Sequence, residues 1–170
     1  MTASGQIAEH WLFVGSARDD IDALISSGYE ARFAPGEQLF NEGDSADGLY
    51  IVTAGSVRVS TTGDRGETIL AVCYPDDVLG ELGVLDAQAR SARASAVGFC
   101  AAYFVPSDPF LDLLERSPAL CLRLLVLLTR RLRIANGRLG ELAATTMLVR
   151  DDDAGQVQVV GPGPGDAEKR

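Results

Sequence analysis

Between Glu30 and Val105, apolar and polar residues alternate in short runs broken by glycine and aspartate. The runs are Arg32–Ala34, Gln38–Asn41, Leu49–Thr53, Val57–Thr61, Thr68–Tyr74, Arg93–Val97 and Phe99–Val105, and period-two segments of this kind predict strands. Pro35-Gly36, Gly43-Asp44, Asp47-Gly48, Gly55, Gly63-Asp64 and Pro75-Asp76 separate them at points where the backbone must reverse. About seven or eight short strands joined by tight turns predict an antiparallel β jelly-roll (double-stranded β-helix) barrel. The flanks carry a different period. In residues 1–28 the apolar positions fall at helical spacing, with Asp19 and Asp20 able to start a short helix that presents Ile21, Leu24 and Ile25 before Gly28. The fold class is mainly β with flanking helices: an N-terminal helical cap (1–28), the barrel (29–106) and C-terminal helices (107–150).

No proline interrupts the leucine-rich stretch from Pro118 to Val149, which predicts one long helix. Cys121, Leu125, Leu128, Leu132, Ala135, Leu139 and Leu142 recur in alternating steps of four and three, the seam of a two-helix coiled coil. A second stripe of Leu120, Leu124, Leu127 and Ile134 lies beside the first half only. The first half is therefore expected to pack on the barrel and on a partner, the second half on a partner alone, giving a homodimer through residues 119–142. The alternative is that the whole stripe lies on its own barrel.

The formal net charge is −9, with 46% hydrophobic and 23% charged residues, a composition for a folded domain that nucleic-acid phosphates and anionic membrane surfaces repel. Residues 119–150 hold six arginines against one glutamate, so a basic rod follows an acidic body. Arg130, Arg131 and Arg133 could form a phosphate-binding strip, but arginines beside a coiled-coil seam more simply make a solvated face. From Asp151 onward, acids and the Gly161-Pro162-Gly163-Pro164-Gly165 run predict a flexible tail over 151–170. Cys73, Cys100 and Cys121 match neither a disulfide framework nor metal-ligand spacing and read as reduced core thiols. With no signal peptide or membrane span, a cytoplasmic location is expected. The one histidine, His10, falls in the first helix-like segment, and a single histidine excludes multi-histidine metal sites and most triads. No enzymatic activity, metal or cofactor is expected.

The segment Leu79–Ala96, LGELGVLDAQARSARASA, interrupts the strand pattern with a helix-like turn and a loop holding a lone arginine. Gly80 lets a ligand approach the backbone, and the amides of Glu81 and Leu82 at the start of the turn can face an anion. Glu81 is suited to accept from a hydroxyl, and Arg90, followed by small Ser91 and Ala92, supplies a guanidinium for phosphate oxygens. On spacing alone, Glu81 and Arg90 could equally form a surface salt bridge.

Several ordered motifs together carry a more specific signal. APGEQLFNEGDSADGLYIVTAGSVRV (Ala34–Val59), with glycines at Gly36, Gly43 and Gly55, is followed by LGELGVL, the Arg90-Ser91-Ala92 triplet and ERSPALCLRLLVLLTRRL (Glu115–Leu132). Over about Leu12–Arg150 the chain resembles the cyclic nucleotide-binding domain of the catabolite activator protein (cAMP receptor protein) family, with its FNR-like branch. The resemblance implies a jelly roll holding cAMP or cGMP in a phosphate-binding cassette at Gly80–Ala92. Glu81 would accept from the ribose 2′-hydroxyl and Arg90 would neutralise the phosphate. Ser91 and the backbone of Gly80, Leu82 and Ala92 would complete the cradle.

In that family a polar pair on the long helix reaches the base across the dimer, and the corresponding positions here are Ala135 and Asn136. Asn136 retains a hydrogen-bonding amide, so cAMP is expected over cGMP through a thinner base contact. Gly137 and Gly140 could mark where the helix extends on ligand binding, or allow close helix packing. Residues 151–170 do not resemble the family's winged helix-turn-helix, so DNA binding by the family route is not expected. Iron–sulfur and haem sensing also lack their ligands. The reading is a cyclic nucleotide sensor signalling to an unknown protein effector. The alternatives are a truncated or degenerate transcriptional regulator without its own DNA reader, or a structural dimer that binds no ligand.

Overall fold

A computed structural model describes residues 3–63 and 66–147, with side chains as far as Glu141. The tail expected over 151–170, and the side chain of Leu142 at the end of the helical seam, lie outside the described residues. The chain divides into two compact units, residues 1–124 and 125–170.

The first unit opens with α1 (Ala3–Ala8), a 3-10 turn (Trp11–Phe13) and α2 (Arg18–Ser27). Its strands are β1 (Tyr29–Phe33), β2 (Gln38–Phe40), β3 (Gly48–Ala54), β4 (Val57–Gly63), β5 (Gly66–Cys73), β6 (Val78–Leu79), β7 (Arg93–Ala96) and β8 (Cys100–Pro106). Two helices complete the elements around them: α3 (Glu81–Asp86), between β6 and β7, and α4 (Ser107–Arg116), which follows β8. The strands make two antiparallel four-stranded sheets, ordered β1-β8-β3-β6 and β2-β7-β4-β5. This is the expected jelly roll, with chain neighbours β3 and β4 placed in different sheets.

Alternation along the strands fills the space between the sheets. Tyr50, Val52, Ala102 and Phe104 from one sheet meet Leu39, Val57, Ala94 and Ala96 from the other in a single buried cluster, backed by partly buried Phe33, Phe40 and Val59. Gly55 turns β3 into β4 at φ +75°, and a Cβ there would come within 2.4 Å of the Phe99 carbonyl oxygen, so the turn needs glycine twice over.

The cap is fastened by polar contacts. His10 Nδ1 accepts from the Leu12 N–H at 3.3 Å, which leaves Nε2 as the donor to the Asp76 carbonyl at 3.0 Å, where Trp11 Nε1 also donates at 3.0 Å. Burial holds the His10 pKa below its ordinary 6.5, outweighing the backbone bond and the Asp76 and Asp77 carboxylates that raise it. His10 therefore starts the 3-10 turn as a buried, neutral latch rather than lying within a helix. At the other end of the cap, Ser16 and Ser117 share a 2.7 Å hydroxyl bond, and Ser117 Oγ accepts from the Leu120 N–H at the start of α5 (Pro118–Met147).

The long helix α5 is continuous through Gly137 and Gly140, and a Cβ at either glycine would meet nothing within 4 Å. Within the first unit its Leu120 and Leu124 are buried. In the second unit the seam residues Leu125, Leu132 and Leu139 are 60%, 61% and 63% exposed.

Candidate functional site

The short strand β6 delivers the chain to Gly80, whose φ of +81° and ψ of 3° turn it into α3. An alanine Cβ at Gly80 would lie 2.5 Å from Arg90 Nη1 and 3.3 Å from Phe40 Cε1, so the glycine serves both the turn and the close approach of the arginine. Glu81, the first residue of α3, is fully buried. Gly83 lets the helix press on the loop before β3, since a Cβ there would come within 2.7 Å of Ala46 Cβ and the Gln88 carbonyl oxygen. Ala87 ends α3 in the left-handed region at φ +54°, and Asp86 Oδ1 accepts from the Gln88 N–H.

Two backbone bonds then stitch the returning chain to the β2–β3 loop: Gly43 N–H donates to the Arg90 carbonyl at 2.9 Å, and Arg90 N–H to the Asp44 carbonyl at 2.8 Å. They set the Arg90 side chain beneath Gly80. Its Nη1 donates to the Gly80 carbonyl at 2.7 Å, its Nη2 to Asp47 Oδ1 at 3.1 Å, and its guanidinium carbon sits 4.4 Å from the centre of the Phe40 ring. The Arg90 side chain is 2% exposed while that of Asp47 is 73% exposed, so a buried cation is paired with a carboxylate that water can take back. Arg90 Nε is buried without a hydrogen-bond acceptor. An unmatched donor on a buried cation costs about 1–3 kcal/mol, which an arriving anion would recover.

Arg90 and Glu81 are both buried, which removes the surface salt-bridge alternative. Ala92 is buried, Ser91 is exposed, and the Leu82 side chain is 45% exposed. The structure thus gathers Gly80, Glu81, Leu82, Arg90, Ser91 and Ala92 on one turn-and-loop segment. Asn136 lies on α5 in the second unit, where it is exposed.

Behind the arginine stands an aromatic series. Phe40 stacks on Tyr50, 6.0 Å between centres at 30°, and Tyr50 contacts Phe104 at 5.1 Å. Burial pushes the Tyr50 hydroxyl up to about 12, so it stays a neutral phenol. Asp47 and Phe40 are the two site residues that spacing did not single out. Both lie inside the Ala34–Val59 motif, but it is the pairing of β2 with β7 and the loop bonds at Gly43 and Asp44 that bring them to Arg90. A cleft of about 480 Å³ opens nearby between segments 43–46 and 83–89, and no charged side chain lines it. Among the described residues no group of three or more histidine, cysteine, aspartate or glutamate side chains could hold a metal ion. No helix among them is long and apolar enough to cross a membrane.

Residues 30–117 match the family model described as the cyclic nucleotide-binding domain. The chain is 35% identical over 126 residues to a protein of Thermus thermophilus named cyclic AMP receptor protein, covering 74% of this chain and 58% of that one. It therefore spans a little under three fifths of that relative's length. Among solved structures, the Thermus thermophilus catabolite activator protein matches with a TM-score of 0.67 at 34% identity, over 78% of this chain and 62% of that one. The regulatory domain of Toxoplasma gondii protein kinase A, crystallised with cAMP, matches with a TM-score of 0.61 at 27% identity, over 65% of this chain and 44% of that one.

Proposed function

Since this chain belongs to the cyclic nucleotide-binding domain family, we propose that it is a regulatory sensor that binds cAMP in preference to cGMP and passes its state to a protein partner, without catalysis. The observation that carries the reading is Arg90: a buried guanidinium, fixed by Gly80 and Asp47, with a donor nitrogen still lacking an acceptor. A cyclic phosphate is a monoanion with two free oxygens, suited to the edge formed by Nε and Nη2. As it docks, Asp47, largely in water already, would yield Nη2 to it. Glu81 would accept from the ribose 2′-hydroxyl, and the Gly80, Leu82 and Ala92 backbone with Ser91 would close around the phosphate. Across the proposed dimer, Asn136 on the long helix of the second copy would meet the purine edge.

The exposed Leu125, Leu132 and Leu139 support a homodimer through residues 119–142, the arrangement that would bury a heptad seam. Nucleotide binding can shift the helix arrangement only by the difference in affinity for the two states. The cytoplasm is the location at which a soluble sensor of an intracellular nucleotide would act.

Thermal denaturation with cAMP, cGMP and 5′-AMP tests the reading. A ligand at one hundred times its Kd stabilises the native state by about 2.7 kcal/mol. A midpoint that rises with cAMP, less with cGMP and not with 5′-AMP is expected; a midpoint indifferent to all three contradicts it.

A further inference from the structure

Phe40 ends the short strand β2, pairing with Ala94 of β7, and its ring is only partly buried although it borders the barrel core. One face of the ring is occupied. The Arg90 guanidinium lies over that face at 4.4 Å, within the range where the ring quadrupole attracts a cation. Two further features serve this stack. Gly80 has no Cβ, and one placed there would collide with Arg90 Nη1 and press on Phe40 Cε1. Tyr50 stacks on Phe40 with ring centres 6.0 Å apart at 30°, so the ring is packed on the core side as well.

We propose that Phe40 is a positioning residue for the anion site, its ring setting the plane and depth of the Arg90 guanidinium before any phosphate arrives. The inference rests on Arg90 as the phosphate ligand. The Gly80 carbonyl and Asp47 each fix one nitrogen of Arg90, but Asp47 is mostly in water and has to give way to a phosphate. The Gly80 carbonyl holds Nη1 at one point, and the ring is the restraint that sets the guanidinium plane with the ligand bound. It also offsets part of the cost of burying the cation, without offering a charge that competes with the phosphate. An aliphatic side chain of similar volume fills the space and supplies neither effect.

The test compares Phe40→Leu and Phe40→Met, which keep bulk without a π face, with Phe40→Tyr, which keeps the face. In a proton–nitrogen spectrum of arginine side chains, Arg90→Lys assigns the Arg90 Nε–H signal. Ring-current shielding should move that signal upfield in the wild type and in Phe40→Tyr, and the shift should vanish in Phe40→Leu and Phe40→Met. The Kd for cAMP should rise about fivefold in the aliphatic variants and stay unchanged in Phe40→Tyr. Whichever aliphatic variant folds serves. An Arg90 signal and a cAMP Kd that are the same in wild type and aliphatic variants overturn the proposal. A wild type that takes up no cAMP removes the nucleotide reading instead, and the Arg90 signal, which needs no ligand, then decides by itself whether Phe40 sets the guanidinium.

Discussion

Arg90→Ala removes a side chain that is 2% exposed and bonded at 2.7 Å to the Gly80 carbonyl and at 3.1 Å to Asp47. In the free protein the loss is small. Asp47 is 73% exposed and returns to water, and Nε leaves no acceptor behind. The remaining penalty is the Gly80 carbonyl's lost partner together with lost packing on Phe40, about 1 kcal/mol. The liganded state loses more. A phosphate deprived of a charge-assisted contact costs about 1.5–3 kcal/mol, so Kd should rise about ten- to 150-fold. Arg90→Lys keeps the charge but cannot span two oxygens, and should fall between. Displacement of a fluorescent cAMP analogue, followed by anisotropy, gives the Kd values, and urea denaturation of the same samples gives the fold cost. A folded Arg90→Ala protein that holds cAMP as tightly as wild type, within about twofold, refutes the reasoning.

Gly80→Ala should cost about 1–3 kcal/mol in urea denaturation and weaken cAMP binding, because φ is +81° and the new Cβ would press on Arg90 Nη1; an unperturbed double readout contradicts this. His10 binds its proton less readily when folded than at its ordinary 6.5, so the unfolded chain holds more protons as pH falls, and stability is full above about 6.5 and declines below it. The loss of urea stability between about pH 7.5 and 5.5 should therefore be smaller in His10→Gln than in wild type, and equal losses would refute the latch as a titrating element. Leu132→Glu puts a charge on a side chain that is 61% exposed in the single chain, so circular dichroism should stay constant while sedimentation moves from dimer to monomer; unchanged sedimentation excludes the seam as the interface.

Most of the barrel was legible because its strands alternate and its turns carry glycine or aspartate. Val57–Thr61 and Phe99–Val105 were placed within two residues of β4 and β8. What escaped lacked local signal. β6 is two residues, Val78–Leu79, and is a strand only because it pairs with Tyr50 and Ile51. The first expected run begins at Arg32, whereas β1 starts at Tyr29, because Tyr29 and Glu30 are held extended by pairing with Phe104 and Tyr103 of β8 rather than by any alternation of their own. His10 lay in a stretch of helical spacing, yet its side chain caps a 3-10 turn.

Within the site, Gly80, Glu81 and Arg90 were legible by residue type and by resemblance. Spacing alone left the pair open as a surface bridge, and burial settles that point. Asp47 lies 43 residues before Arg90 and Phe40 50 before it, so their contacts depend on the loop stitching at Gly43 and Asp44, which no linear pattern reports.

Calorimetric titration of the purified chain with cAMP, beside cGMP and 5′-AMP, tests the central claim most directly. The account predicts saturable binding of cAMP, weaker binding of cGMP and none of 5′-AMP, whose open dianionic phosphate replaces the cyclic monoanion proposed to meet Arg90 while the ribose reaches Glu81. No saturable heat with either cyclic nucleotide, at several temperatures, would contradict it.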